Sequence, residues 1–142
     1  MMEKTCLFCD IIARRKPATI VYEDDHCIVL MDIQPVNPGH MLVIPKTHVE
    51  HVEHMDLQEG AHTFQTVIRM TAALRASGIP AEGLWLMLAD GQVAGQEVPH
   101  AHFHIMPRFP MDGVGVHFGP EFGVQPPHQE LERLAARIRA AL

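Results

Sequence analysis

Three histidines, His100, His102 and His104, stand at two-residue spacing in the stretch VPHAHFHIMPR, with Ala101, Phe103 and Ile105 between them. A fourth, His40, follows Asn37-Pro38-Gly39 and leads into MLVIP. In a strand, residues two apart share a face, so the three imidazoles form one ridge while the apolar residues between them turn to the core. Neighbours on that ridge are roughly 6.5–7 Å apart. Zinc holds each nitrogen at about 2.0–2.1 Å, so one ion does not easily gather all three. Nucleophilic chemistry suits the row better. A neutral imidazole is abundant near neutral pH and can attack phosphorus, while its neighbours orient it and donate to phosphate oxygens. The N–H groups around Gly95 and Gln96, just upstream, are candidates for an anion-binding nest.

A second set of residues speaks of metal. Cys6-x-x-Cys9 is half of a zinc site by spacing, and two histidines complete a tetrahedral set. The chain offers His48, His51, His54 and His100. Cys27, alone before Ile28-Val29-Leu30, reads as a small buried hydrophobe. The remaining histidines (His26, His62, His117 and His128) are expected on exposed faces, as are His51 and His54 in the simplest reading.

These residues need a scaffold. Residues 9–15 suggest a short helix stopped by Pro17. Residues 19–22 and 27–31 suggest a hairpin, and 41–44 a strand behind the Pro/Asn/Gly-rich loop 32–39. Residues 56–77 carry the main helical pattern, with Leu57, Ala61, Phe64, Val67, Ile68, Ala72 and Leu74 on its apolar stripe. The run LWLML at 84–88 predicts a central strand, 97–106 the histidine strand, 107–127 an irregular segment and 129–142 a terminal helix. This order predicts an α+β fold on an antiparallel sheet, in one domain spanning residues 1–142.

With 142 residues, 47% of them apolar and 20% charged, the chain can bury a core without disulfides. Its formal net charge of −6 argues against a nonspecific nucleic-acid binder. The start, MMEKTCLFCDII, lacks a charged-then-apolar export signal, and no apolar run reaches membrane-span length. The expectation is therefore a cytoplasmic protein without nucleic-acid or membrane partners.

The run from His100 to Met106 matches the signature of the histidine-triad (HIT) family, three histidines alternating with apolar residues. CLFCDII, VYEDDHCIVLMDIQPVNPGHMLVIPKTHV and DGQVAGQEVPHAHFHIMPR resemble family segments in the same order, covering most of the chain. The resemblance implies an antiparallel sheet of about five strands with two main helices, assembled as a homodimer. It implies cleavage of a purine nucleotide of AMP-X type, a phosphoramidate or phosphoanhydride, at the α-phosphate. His102 is then the nucleophile, with His104 and His40 as partners, Asp32 at the ribose, and Phe8, Ile11, Leu30 and Ile33 around the purine. Gly95 and Gln96 fall beside the phosphate. Zinc-bearing relatives point to Cys6, Cys9, His48 and His100 as a structural zinc site. Ala89 and Glu97 depart from the family pattern, and they motivate an alternative: a nucleotide-binding regulatory module with little or no turnover.

Overall fold

A computed structural model describes residues 6–142. Residues 1–5, on which the expected absence of an export signal partly rests, lie outside the described residues. The chain divides into two compact units, the first ending at Asp112 and the second running from Gly113 to Leu142.

The first unit is built on five strands: β1 (Ile20–Glu23), β2 (Cys27–Met31), β3 (Met41–Pro45), β4 (Gly83–Met87) and β5 (Phe103–Arg108). Their order is β1-β2-β3-β5-β4, and each neighbouring pair is antiparallel. Asp24 makes the β1–β2 turn, because its Oδ1 accepts the N–H groups of His26 at 2.8 Å and Cys27 at 2.7 Å. The loop from β2 to β3 is closed by the Asp32 N–H donating to the His40 carbonyl at 3.0 Å. Gly39 permits that closure with φ at 96°, a left-handed conformation that residues with a Cβ avoid.

The two faces of the sheet are clad differently. Ile28, Leu30, Leu42 and Ile44 pack with Phe8 and Ile11 of the short helix α1 (Leu7–Ile12). Val29, Met41, Val43 and Ile105 pack on the opposite face with Val67, Met70 and Leu74 of the long helix α2 (Leu57–Ala76). Burying each such side chain contributes about 1.5–3 kcal/mol. Asp56 caps α2 by accepting the N–H groups of Gln58 and Glu59.

Three expectations are corrected. The stripe of α2 is narrower than the periodicity predicts: Phe64 and Ile68 are about half exposed and Leu57 is 85% exposed. Thr63 and Thr66 take core places instead, their hydroxyls donating to the carbonyls of Glu59 and His62 one turn back. The first four residues of LWLML lie in β4 at the sheet edge, not in a central strand, and Leu88 falls just beyond it. The histidine strand begins at Phe103 rather than Glu97 and runs on through Pro107 to Arg108. Pro107 is tolerated there because pairing with β3 ends at Ile105, so its missing N–H leaves no rung empty on that side.

In the second unit, α3 (His128–Arg139) is amphipathic and has no buried residue. No helix among the described residues is long and apolar enough to cross a membrane.

Candidate active site

An open cavity of ≈ 490 Å³ lies on the α1 side of the sheet. Alternation along the strands explains its lining. Leu42 pairs with His104, and His104 with Met87, so these side chains share a face. His40 arrives beside them because it leads directly into β3. Phe8, Ile11, Leu30, Asp32, Ile33, His40, Gly95, His102 and His104, all expected at a site, reach this cavity. Gln96 does not.

The hydrogen bonds assign the ring protons. His102 Nδ1 lies 2.7 Å from the carbonyl oxygen of His100, an acceptor only, so Nδ1 carries the proton. Its Nε2 is then an unprotonated nitrogen. Burial pushes the pKa of His102 down, against the pull of that carbonyl. His40 is oriented from behind: the Val36 N–H donates to its Nδ1 at 3.0 Å. The proton of His40 therefore sits on Nε2, which donates to His104 Nδ1 at 2.9 Å. That leaves His104 with a donor at Nε2. Burial pushes His104 down to about 4, helped by its proximity to His102 and His40. It also lowers His40, against the Asp32 carboxylate 3.4 Å from Nε2. Three neutral imidazoles result, one presenting a lone pair and one an N–H.

Gln96 acts inside the loop. Its Oε1 accepts the Gly91 N–H at 2.7 Å, and its Nε2 donates to the Glu50 carbonyl at 2.9 Å. The backbone N–H groups of Gly95 and Gln96 bond to Gln92 and Gly91. The expected anion nest at these two residues is thus occupied by the turn itself. Among the described residues, the N–H groups of Glu97 and Val98 carry no hydrogen bond, and both residues line the cavity. Nothing in residue type marks an unbonded N–H, so the sequence does not single out these two. Leu42, Met87 and Met106 also line the cavity, as the alternation of β3, β4 and β5 places them. Asp90, the residue after Ala89, bonds His51 at 2.6 Å and accepts the Val52 N–H at 3.0 Å, tying two loops together.

Beside the cavity lies a four-residue cluster. His100 Nε2 donates to the Pro45 carbonyl at 2.7 Å, which leaves Nδ1 unprotonated. That nitrogen is 3.4 Å from Cys6 Sγ, 3.7 Å from Cys9 Sγ and 3.2 Å from His48 Nδ1. Ligand atoms on the edges of a tetrahedral zinc site are roughly 3.4–3.8 Å apart, so the residues fit a bound divalent metal. A carbonyl behind the ligating histidine is the usual way of fixing its tautomer. Burial, with Cys6 nearby, raises the Cys9 thiol to about 11. His51 and His54 stay outside this set.

Known proteins resemble this chain in sequence and in fold. The profile of the HIT domain family matches residues 13–111. An uncharacterized HIT-like protein from Methanocaldococcus jannaschii is 43% identical over 114 residues, covering 80% of this chain and 87% of that protein. An adenylylsulfatase from Arabidopsis thaliana is 34% identical over 108 residues, 75% of this chain and 54% of its own. The crystal structure of a HIT family member from Bacillus subtilis superposes with a TM-score of 0.88 at 36% identity, covering 98% of both chains. A zinc-bound histidine triad family protein from Mycobacterium smegmatis gives 0.75 at 32% identity, covering 97% of this chain and 98% of its own. With the triad, the sheet and these relatives in agreement, the chain belongs to the HIT family.

Proposed function

We propose that this protein is a nucleotide hydrolase that cleaves a purine nucleoside 5′-phosphoramidate or phosphoanhydride at the α-phosphate. The observation that carries the reading is the tautomer of His102, whose Nδ1–H is held by the His100 carbonyl while Nε2 keeps its lone pair. Attack by Nε2 forms an N–P bond as the bond from phosphorus to the leaving group breaks, and the departing group takes up a proton. Water then cleaves the N–P bond, releasing the nucleoside monophosphate and restoring the imidazole. His104 Nε2–H and the backbone N–H groups of Glu97 and Val98 are placed to meet phosphate oxygens as charge builds. Phe8, Ile11, Leu30 and Ile33 supply the apolar slot for a purine, and Asp32 a carboxylate for ribose hydroxyls. The Arabidopsis relative bears the name of an enzyme acting on an adenylyl compound, which supports this substrate class.

Cys6, Cys9, His48 and His100 would hold a structural zinc, as the zinc-bound mycobacterial structure supports. A filled Cys₂His₂ set supplies cross-linking and no open position for water. It fixes α1, which carries Phe8, to the segment that carries His102. The same reading makes residues 1–142 one HIT domain, cytoplasmic and homodimeric.

The test is a turnover screen with adenosine phosphoramidate, an AMP-lysine adduct and diadenosine polyphosphates, comparing the wild type with His102→Ala. Loss of product by orders of magnitude and loss of a trapped nucleotidyl adduct are expected; surviving turnover overturns covalent catalysis. Glu97 favours a second reading, because an acidic residue with no ion pair among the described residues lines the cavity, and its negative charge opposes phosphate. AMP binding by calorimetry without turnover on any substrate selects that reading, a nucleotide-binding module.

A further inference from the structure

Away from the cavity, the β1–β2 turn meets the start of α2 in a group of residues that the nucleotide reading leaves unused. Asp24 sits in the turn, Cys27 begins β2, and Glu59 and His62 lie three apart on α2, a spacing that puts both side chains on one side of a helix. Asp24 Oδ1 is engaged by two backbone N–H groups, while Oδ2 faces His62 Nε2 at 2.9 Å and accepts the Tyr22 hydroxyl at 2.9 Å. Donor atoms of Asp24, Cys27 and His62 all lie within 4.8 Å of one another. Cys27 is fully buried, its thiol donating to Thr63 Oγ1 at 3.6 Å.

Glu59 supplies the independent sign. Its Oε1 is engaged by His26 Nδ1 at 3.1 Å, but its Oε2 is buried with no hydrogen-bond partner. Among the described residues it is alone in this respect. A buried carboxylate oxygen without a donor is costly, and a cation or an ordered water normally accounts for one. Here it belongs to a residue one turn before His62 on α2, outside the trio of donors that lie within 4.8 Å of one another, so its carboxylate would swing in to complete the set.

We propose that Asp24, Cys27, Glu59 and His62 form a second binding site for a divalent transition metal of the zinc type, distinct from the Cys6–Cys9–His48–His100 cluster. One sulfur, one nitrogen and two carboxylate oxygens suit a borderline ion such as zinc or cobalt(II) better than calcium or magnesium, which prefer oxygen alone. The three clustered donors must close from at most 4.8 Å to roughly 3.4–3.8 Å, a shift that rotation of the His62 and Asp24 side chains, 33% and 22% exposed, accommodates. On binding, Cys27 gives up its thiol proton to solvent, and His62 coordinates through Nε2 with its proton moved to Nδ1. His26 and Tyr22 then stand behind the ligands and orient Glu59 and Asp24. The ion would fasten the hairpin turn to the first turns of α2.

The experiment is metal stoichiometry on the full chain, stripped with chelator, dialysed against excess zinc, washed and measured by elemental mass spectrometry. Four proteins are compared: wild type, Cys6→Ser/Cys9→Ser, His62→Ala and Glu59→Gln. If both sites bind, the wild type holds two zinc ions per chain, each variant of one site holds one, and circular dichroism is unchanged. If the Cys6–Cys9 site proves not to bind, the wild type and Cys6→Ser/Cys9→Ser each hold one ion and His62→Ala holds none, which still supports the present site. A wild type that saturates at one ion and loses it in Cys6→Ser/Cys9→Ser overturns the proposal. Cobalt(II) gives a second readout in the Cys6→Ser/Cys9→Ser background. A near-ultraviolet thiolate-to-cobalt band there, abolished by Cys27→Ser and by His62→Ala, supports the ligand set. Its absence shows that Asp24, His62 and Glu59 are an ordinary hydrogen-bonded cluster and sinks the idea.

Discussion

His102 Nδ1 and the carbonyl oxygen of His100, 2.7 Å apart, form an intrasegment hydrogen bond that decides which nitrogen of His102 can react. The bond between His40 Nε2 and His104 Nδ1 imposes the opposite tautomer on His104. At neutral pH, ¹⁵N spectra of the ring nitrogens therefore show His102 protonated at Nδ1 and bare at Nε2. His104 shows the reverse. Finding the same tautomer on both rings contradicts the assignment.

In the proposed mechanism His40 works through His104 and needs no contact with the reacting atoms. Replacing it with Ala removes the acceptor of the Val36 N–H and the donor to His104. Turnover should fall about 10–100-fold, the usual cost of losing an orienting partner. The decline should fall mainly on kcat, and His40→Asn should recover part of it. A change confined to KM assigns His40 to ground-state binding instead.

Acid should destabilise the fold through the buried imidazoles. Burial holds His104 at about 4 in the native protein, while an unfolded histidine titrates near 6.5. Between those values the unfolded chain binds a proton that the native chain does not, so stability rises with pH across this window and falls on acidification. The Tm of the wild type should drop between about pH 7 and about pH 5, and that of His104→Asn should drop less. Equal drops mean that His104 is not a source of the effect.

Gly39→Ala should be among the more damaging single changes near the site. The backbone there has φ of 96°, and an added Cβ meets Ile79 and Leu74 side chains at 3.1 Å and Pro107 at 3.4 Å. Strain and crowding together cost about 2–4 kcal/mol. Denaturant unfolding measures this, and because His40 is the next residue, AMP affinity should weaken as well. A loss below about 1 kcal/mol shows that the loop relaxes freely.

If Cys6, Cys9, His48 and His100 hold the proposed zinc, stripping it should loosen α1, which brings Phe8 and Ile11 to the cavity. The chelated protein and Cys9→Ser should both bind AMP about 10-fold more weakly and melt earlier, zinc restoring only the chelated wild type. Unaltered affinity after full removal separates the metal from the purine slot.

Much of this was legible from residue types. Cys6, Cys9 and the histidines are chemically distinctive, and loop breakers such as Asn37, Pro38 and Gly39 mark where the chain turns. What escaped the sequence depends on which atoms are already bonded. The family resemblance puts Gln96 beside the phosphate, yet Gly91 and Glu50 engage its amide. Asp24, Glu59 and His62 are ordinary surface residues taken singly, and only the docking of the β1–β2 turn on α2 makes them a group. The apolar run at Leu84–Leu88 signals a strand but not its place in the sheet, since burial of an edge depends on partners outside the run.

The late start of β5 has a consequence for the chemistry. Within a sheet interior, carbonyls are committed to neighbouring strands, so a laddered His100 would have its oxygen engaged by a backbone N–H. Because regular pairing begins only at Phe103, the His100 oxygen is left for the imidazole two residues on. A shortened strand thereby turns main chain into a side-chain template, and the tautomer of His102 is written in where the ladder stops.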